Sequence, residues 1–312
     1  MTDTTERPLV TFAVIAYNQE RFIREAIEGA FAQTYQPLEI ILSDDCSPDR
    51  TYQIMQEMAA AYDGPHKVVL NRNEPNLGIA GHFNRIMEKA EGEFVLVNAG
   101  DDISLPDRTL ATVKEFLQDQ NLTYVETEII RISENGLTQE KNHTTLAKKR
   151  YYLDDLLNRR LPFHGAARTY RKDTITRFPP LGARCPTEDT PTLLRCLLCG
   201  HGVFLPDAGV KWRMHADNMS SPSSLKSMPL LEIYNQYKAD IQYMKATGLL
   251  SKKRSRQILG GVAYWIIRRI SAQQDTKLQS RLKKIQLFFS SPWLSFMERI
   301  FVMKAILLQK RN

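Results

Sequence analysis

The sequence predicts an α/β fold, a mostly parallel sheet flanked by helices and followed by a C-terminal helical extension. Three features carry that reading. Between Leu9 and Arg108, apolar runs of strand length alternate with segments whose apolar residues recur at helical spacing, the pattern of a parallel sheet covered on both faces. Three of the strand ends carry polar residues: Tyr17-Asn18, Asp44-Asp45 and Asp101-Asp102. Beyond Ser221 the strand signal stops and only helical spacing remains. The expected division is residues 1–220 as one α/β domain and 221–312 as a helical region.

Leu9 to Ala16 reads as the first strand and Tyr17-Asn18-Gln19-Glu20 as its turn, after which Phe22, Ile23, Ala26, Ile27 and Ala30 line one helix face. Leu38 to Leu42 is the second strand. Ser47 is read as the cap of the next helix, with Pro48 at its first position. Val68 to Leu70 is a short third strand, Asn73 to Gly78 a loop, and Ile79 to Ala90 a helix. Phe94-Val95-Leu96-Val97 then forms a strand that turns at Asn98-Ala99-Gly100 into Asp101 and Asp102, before Pro106 and Asp107 open a helix. Leu122 to Ile132 reads as a strand ending in the turn Ser133-Glu134-Asn135-Gly136. The polar stretch from Leu137 to Arg150 fits a solvated loop or a mobile loop over a bound ligand. Ala166 to Tyr170 and Val210 to His215 complete the strands. Ser221-Pro222-Ser223-Ser224 reads as a linker to helices over 230–247, 258–270, 278–289 and 293–308.

The net charge of +7 and pI near 9.1 suit an anionic partner: nucleotide phosphate, membrane surface or nucleic acid. Charge alone does not choose among them. The basic residues are densest in the C-terminal helices and form no nucleic-acid-binding motif, so no nucleic-acid partner is expected. Cys46, Cys185, Cys196 and Cys199 form no disulfide framework, and Cys196 and Cys199 fall in an apolar helical pattern as buried thiols. Met1 to Val10 has no basic-then-apolar signal pattern and no apolar run reaches spanning length, so the protein is expected in the cytoplasm or at the inner face of the membrane.

In a doubly wound sheet the strand ends converge on one crevice, so polar groups far apart in sequence become one site. Adjacent carboxylates repel, and a hard cation such as Mn²⁺ or Mg²⁺ relieves that repulsion; taken alone, Asp101-Asp102 also fits a plain turn capping the next helix. The residue types suit a nucleotide. A carboxylate accepts the imide N–H of uracil or a ribose hydroxyl, and an aromatic stacks on a base. The G-x-G-x-x-G and GxxxxGK[ST] loops are absent, which disfavours dinucleotide and P-loop binding. Nucleotidyl transfer would need a glycine-rich loop after the first strand, and Ala16-Tyr17-Asn18-Gln19-Glu20 supplies none. A non-catalytic nucleotide-binding protein is the other alternative.

Val10 to Thr51, with Asn73 to Asn84 and Gly92 to Arg108, resembles the opening of the inverting glycosyltransferases of family 2, which have the GT-A fold. The resemblance weakens toward residue 220. It implies transfer of a sugar from a nucleotide-sugar donor, a UDP-sugar foremost, to a hydroxyl on a glycan or lipid-linked acceptor, in bacterial surface-glycan assembly. By this resemblance Ala16, Tyr17 and Glu20 line the nucleotide pocket, Asp44 or Asp45 meets the base or ribose, and Asn76 and Gly78 approach from the third-strand loop. Asp101 and Asp102 stand at the end of the family's acidic metal motif. Many members have Asp-Ala-Asp-Asp there, whereas Asn98-Ala99-Gly100 precede the pair in this chain, so metal contact falls on Asp102, helped by Asp101.

An acidic pair in a helix's first turn is explained by the macrodipole alone. Set beside the resemblance, Glu188-Asp189 matches the catalytic acidic pair, with Asp189 as general base and Glu188 orienting the base or acceptor. The resemblance likewise implies His215 as a metal ligand, Arg213 as a phosphate contact and His164 as an acceptor contact. The last segment sets Trp293, Phe296, Ile300 and Phe301 among Arg299, Lys304, Lys310 and Arg311. It suits an amphipathic helix on an anionic membrane, or one packed on its own domain or on a second subunit of a homodimer.

Overall fold

The computed structural model describes residues 7–139, 147–158, 160–161, 165–270 and 277–290, together with Arg299 and Met303. The chain divides into two compact units, Met1–Ala183 with Glu188–His215, and Arg184–Thr187 with Ala216–Asn312.

In the first unit β1 (Val10–Ala16), α1 (Ile23–Phe31), β2 (Leu38–Asp44), α2 (Thr51–Ala61), β3 (Lys67–Arg72), α3 (Gly78–Lys89) and β4 (Phe94–Ala99) alternate as expected. Then come β5 (Ile103–Ser104), α4 (Arg108–Gln118), β6 (Leu122–Ser133), β7 (Lys149–Tyr151), α5 (Leu153–Leu157), β8 (Arg168–Arg171), α6 (Lys172–Thr176), α7 (Asp189–Cys199) and β9 (His201–Met214). The nine described strands join one sheet in the order β3-β2-β1-β4-β8-β6-β9-β5, with β7 also on β9.

Strands β1 and β2 are buried along their whole length, which is why they read as near-continuous apolar runs. Their inward faces pack Phe12, Val14, Ile40 and Leu42 against Ile23, Ile27 and Met55, each such side chain contributing about 1.5–3 kcal/mol on burial. The parallel register brings Ala16 level with Asp44, Asp44 level with Arg72, and Ile15 level with Ala99. The polar strand ends therefore stand in a row along one edge of the sheet.

The sheet is mostly parallel, with short antiparallel pairings added by β8, β5 and β7. Strand β8 runs antiparallel to both β4 and β6, while β6 and β9 are parallel. The two-residue β5 pairs antiparallel with the end of β9, setting Ile103 opposite Lys211 and Ser104 opposite Val210. That pairing returns the end of β9 to the Asp101-Asp102 turn.

Two local expectations are corrected. Ser47 does not cap α2, which begins at Thr51; Asp49 accepts the Thr51 N–H at 3.0 Å, and Ser47 instead accepts the Asn18 N–H at 2.8 Å. The stretch read as a loop to Arg150 contains β7, held on β9 by pairs such as Arg150 with Val203.

In the second unit, the expected linker is a short helix, α8 (Pro222–Ser227), capped by Ser221, whose hydroxyl accepts the Ser224 N–H. Helices α9 (Leu230–Ala246) and α10 (Lys252–Ile270) pack on each other, burying Ile233, Ile241 and Met244 from one and Ile258, Val262 and Ile266 from the other; α11 (Lys277–Ser290) follows. Among the described residues no helix is long and apolar enough to cross a membrane. The helix expected over 293–308 lies outside the described residues except for Arg299 and Met303.

Candidate active site

One side of the candidate site is built by the ends of β1, β2 and β3. Asn18 and Cys46, which follow β1 and β2, both take left-handed backbone angles (φ 57° and 64°), turning the chain sharply after each strand. Three bonds fasten the two turns together: Asn18 N–H to Ser47 Oγ, Gln19 N–H to Thr51 Oγ1 at 2.8 Å, and Glu20 N–H to Asp49. Tyr17 is left 51% exposed, its ring available for stacking. The Glu20 carboxylate accepts the Arg50 N–H at 2.9 Å, so in this arrangement it caps the second turn.

Asp44 and Asp45 differ in their duties. Asp45 Oδ1 accepts Asn73 Nδ2 and the Leu77 N–H, both at 2.9 Å, and its backbone carbonyl accepts Asn76 Nδ2 at 2.7 Å. It fixes the loop after β3. Asn76 in turn accepts the Gly78 N–H, and Gly78 needs to be glycine for its φ of +69° rather than for space. Asp44 is fully buried; its Oδ2 accepts the Ser47 N–H at 2.9 Å and faces Arg72 Nε at 3.4 Å. Its Oδ1 has no hydrogen-bond partner among the described residues. An unsatisfied buried carboxylate oxygen costs about 1–3 kcal/mol or more, which a ligand's N–H or O–H offsets.

The Asp101-Asp102 turn is braced from below. Asn98, fully buried, donates to the carbonyls of Ala99 and Asp102 and accepts from Ser104 Oγ and Arg108 Nη1. An amide can donate and accept at once, which a carboxylate there could not. Gly100 has no room for any side chain: a Cβ would strike Gln19, Ala16 and Ile23. Asp102 Oδ1 accepts the Arg213 N–H at 2.9 Å, and Asp101 Oδ2 lies 2.9 Å from His215 Nε2. Burial, and then Asp101 beside it, push the Asp102 carboxyl well above the ordinary carboxylate range.

Arg213, expected as a phosphate contact, is drawn into the protein around the acidic turn. Its side chain is 1% exposed, with Nε on the Asp101 carbonyl at 3.0 Å, Nη1 on the Glu134 carbonyl at 2.8 Å and Nη2 3.1 Å from Glu25. The Phe22 ring is 5.0 Å from its guanidinium and 4.9 Å from the His215 ring.

Glu188 and Asp189 open α7, where Asp189 lies directly over Gly165; a Cβ on that glycine would collide with the carboxylate. Arg168 Nη1 donates to the Asp189 carbonyl at 3.1 Å while its Nε holds Glu126 at 2.8 Å, and both members of that ion pair are buried. Arg108, buried beneath the acidic turn, bonds Asn98 on one side and the Ala166 carbonyl at 3.0 Å on the other. One guanidinium thus ties the Asp101-Asp102 turn to the Gly165–Arg168 segment on which Asp189 rests. Burial, and then Asp189, raise the Glu188 carboxyl to about 7.

A model of glycosyl transferase family 2 matches residues 11–177, more than half of the chain. The chain belongs to glycosyltransferase family 2. The matched span covers the ends of β1, β2 and β3 and the Asp101-Asp102 turn of this glycosyltransferase; Glu188, Asp189, Arg213 and His215 lie beyond it. An uncharacterized protein of Mycobacterium tuberculosis is 27% identical over 259 residues, covering 82% of this chain and 73% of its own. A putative teichuronic acid biosynthesis glycosyltransferase of Bacillus subtilis is 28% identical over 138 residues, covering 44% and 53%. Among solved structures, Staphylococcus aureus TarS in complex with UDP-GlcNAc has a TM-score of 0.69 at 18% identity, covering 95% of this chain and 86% of that one. A mannosyltransferase of Pyrobaculum calidifontis in complex with GDP-Man and Mn²⁺ has a TM-score of 0.54 at 16% identity, covering 97% and 87%. These likenesses show the GT-A fold.

His164 lies outside the described residues. Sequence reasoning about the glycosyltransferase missed Arg72, Arg108, Glu126 and Arg168. The only signal for Arg72 was its place just past a strand end, and the other three are single charges inside apolar or mixed segments whose partners are 10 to 60 residues away.

Proposed function

We propose that this family 2 glycosyltransferase is inverting and metal-dependent, and moves a sugar from a UDP-sugar to a hydroxyl of a surface-glycan or lipid-linked acceptor. The observation that carries the reading is the arrangement of carboxylates on one sheet edge. Asp44 keeps a buried, unpartnered oxygen at the end of β2, Asp101 and Asp102 follow β4 on the other side of β1, and Asp189 rests on the Gly165–Arg168 segment that Arg108 joins to their turn.

Asp44 Oδ1 calls for a donor such as the imide N–H of uracil, Tyr17 for the face of a base, and Ala16 for close approach of the nucleoside. Cytosine presents a lone pair where uracil presents that N–H, so Asp44 discriminates between them. Among the described residues no group of three or more His, Cys, Asp or Glu forms a metal cage. That fits a hard cation held by one or two carboxylates and completed by the donor's own phosphates. Asp102, with its raised carboxyl and like-charged neighbour, is the first ligand, and Asp101 and His215 stand beside it. When bound, such an ion neutralises charge developing on the diphosphate. The mannosyltransferase bound to GDP-Man and Mn²⁺ supports a divalent ion in general, and leaves Mn²⁺ and Mg²⁺ equally open.

Asp189 takes the proton of the acceptor hydroxyl as its oxygen attacks the anomeric carbon on the face opposite the diphosphate, which inverts that centre. Glu188, carrying a proton about half the time near pH 7, removes a like charge from beside Asp189 and gives the acceptor a hydrogen-bond donor. The glycan class rests on the relative named for teichuronic acid biosynthesis.

Thermal unfolding with UDP, GDP or CDP, each with and without Mn²⁺, tests the reading. UDP with metal at about one hundred times its Kd is expected to stabilise by about 2.7 kcal/mol, UDP alone less, and CDP least. No shift with any diphosphate, or a larger one with CDP, contradicts it.

A further inference from the structure

We propose that the turn between α9 and α10 is a membrane-docking surface that inserts Leu249 among the lipids of an anionic bilayer. The inference concerns the second unit and is independent of the catalytic reading.

Between Asp240 and Asp275 the sequence has no acidic residue and seven basic ones: Lys245, Lys252, Lys253, Arg254, Arg256, Arg268 and Arg269. Five of these flank one turn. Lys245, Lys252, Lys253 and Arg256 are exposed, and Arg254 lies half-buried with Nη1 on Gln257 at 2.7 Å. The turn itself is well made. Gly248 takes a φ of +76°, the Leu250 N–H returns to the Met244 carbonyl at 3.0 Å, and Ser251 accepts the Arg254 N–H to start α10.

At its crest Leu249 is 57% exposed, although Ile233, Ile241 and Met244 of α9 and Ile258, Val262 and Ile266 of α10 are buried. A single exposed leucine is ordinary on a protein surface. A leucine at the tip of a helical hairpin, ringed by five cations with no anion within reach along the chain, matches lipid headgroups outside and acyl chains within. A nucleic acid would engage the cations but gain nothing from Leu249, and the turn offers no aromatic ring for a base to stack on. A second copy of the chain would bring like charge against like.

The test is cosedimentation of the full chain with vesicles of phosphatidylcholine alone, or with about one third phosphatidylglycerol, at low and at high salt. Binding is expected to be at least about tenfold stronger on the anionic vesicles and to weaken with salt. The triple variant K252E/K253E/R256E should lose at least about tenfold, and L249S several-fold, with the melting temperature of L249S unchanged. L249S serves alone should the triple variant fail to fold. Equal binding to both vesicle types, wild-type binding by both variants, or a mixed-sequence oligonucleotide bound more tightly than the anionic vesicles would overturn the proposal. Sugar transfer to a soluble acceptor, measured on the same variants, should stay at the wild-type level.

Discussion

Replacing Arg213 by methionine separates a brace from a phosphate ligand. The side chain makes two charged hydrogen bonds to carbonyls, at Asp101 and Glu134, and an ion pair with Glu25, which is half exposed. Each charged hydrogen bond contributes about 1.5–3 kcal/mol, and the half-exposed ion pair adds at most about 1 after solvent screening. The Arg213 N–H to Asp102 survives the change, because it belongs to the backbone. R213M is therefore expected to lose about 3–7 kcal/mol. For a unit of this size that is roughly 6–28 °C in melting temperature, read by circular dichroism. Donor KM and kcat should then worsen together as the acidic turn loosens. A melting temperature within about 2 °C of the wild type, with donor KM alone raised, would restore Arg213 to the phosphate and refute the brace.

Two further outcomes follow from the site. Arg168→Met leaves Glu126 buried without its cation and is expected to cost about 3–5 kcal/mol by urea unfolding, whereas the double variant E126M/R168M should recover most of it; a double variant no better than the single would contradict a paired-charge origin. For Glu188 the folded carboxyl titrates near 7, above its unfolded value, so stability is highest at acid pH and falls as pH rises toward and past 7. The loss amounts to on the order of 1–3 kcal/mol between pH 5 and pH 8, and Glu188→Gln should abolish it; an unchanged pH slope in that variant would place the raised carboxyl elsewhere.

The parallel half of the fold was legible because β1, β2 and β4 are buried on both faces and therefore spell continuous apolar runs. β5 is two residues long and exists only through its pairing with β9, and β7 lies in a polar stretch that becomes a strand by pairing along the same partner. Periodicity cannot register either. The start of β9 was hidden because Gly202 and Pro206 interrupt its pattern. In the site, the acidic groups at strand ends could be read because short motifs carry them. The cations that hold them, Arg108, Arg168 and Arg213, act over 10 or more residues of sequence, and a bracing arginine looks like a ligand-binding one until its guanidinium has been traced to its partners.

The reading of Asp189 as the base that accepts the acceptor's proton is tested most directly by turnover of Asp189→Asn, measured alongside UDP binding to the same variant. The expected result is a fall in kcat of at least about a hundredfold with nucleotide affinity unchanged. Turnover at the wild-type rate, or a loss explained wholly by weakened UDP binding, would contradict it.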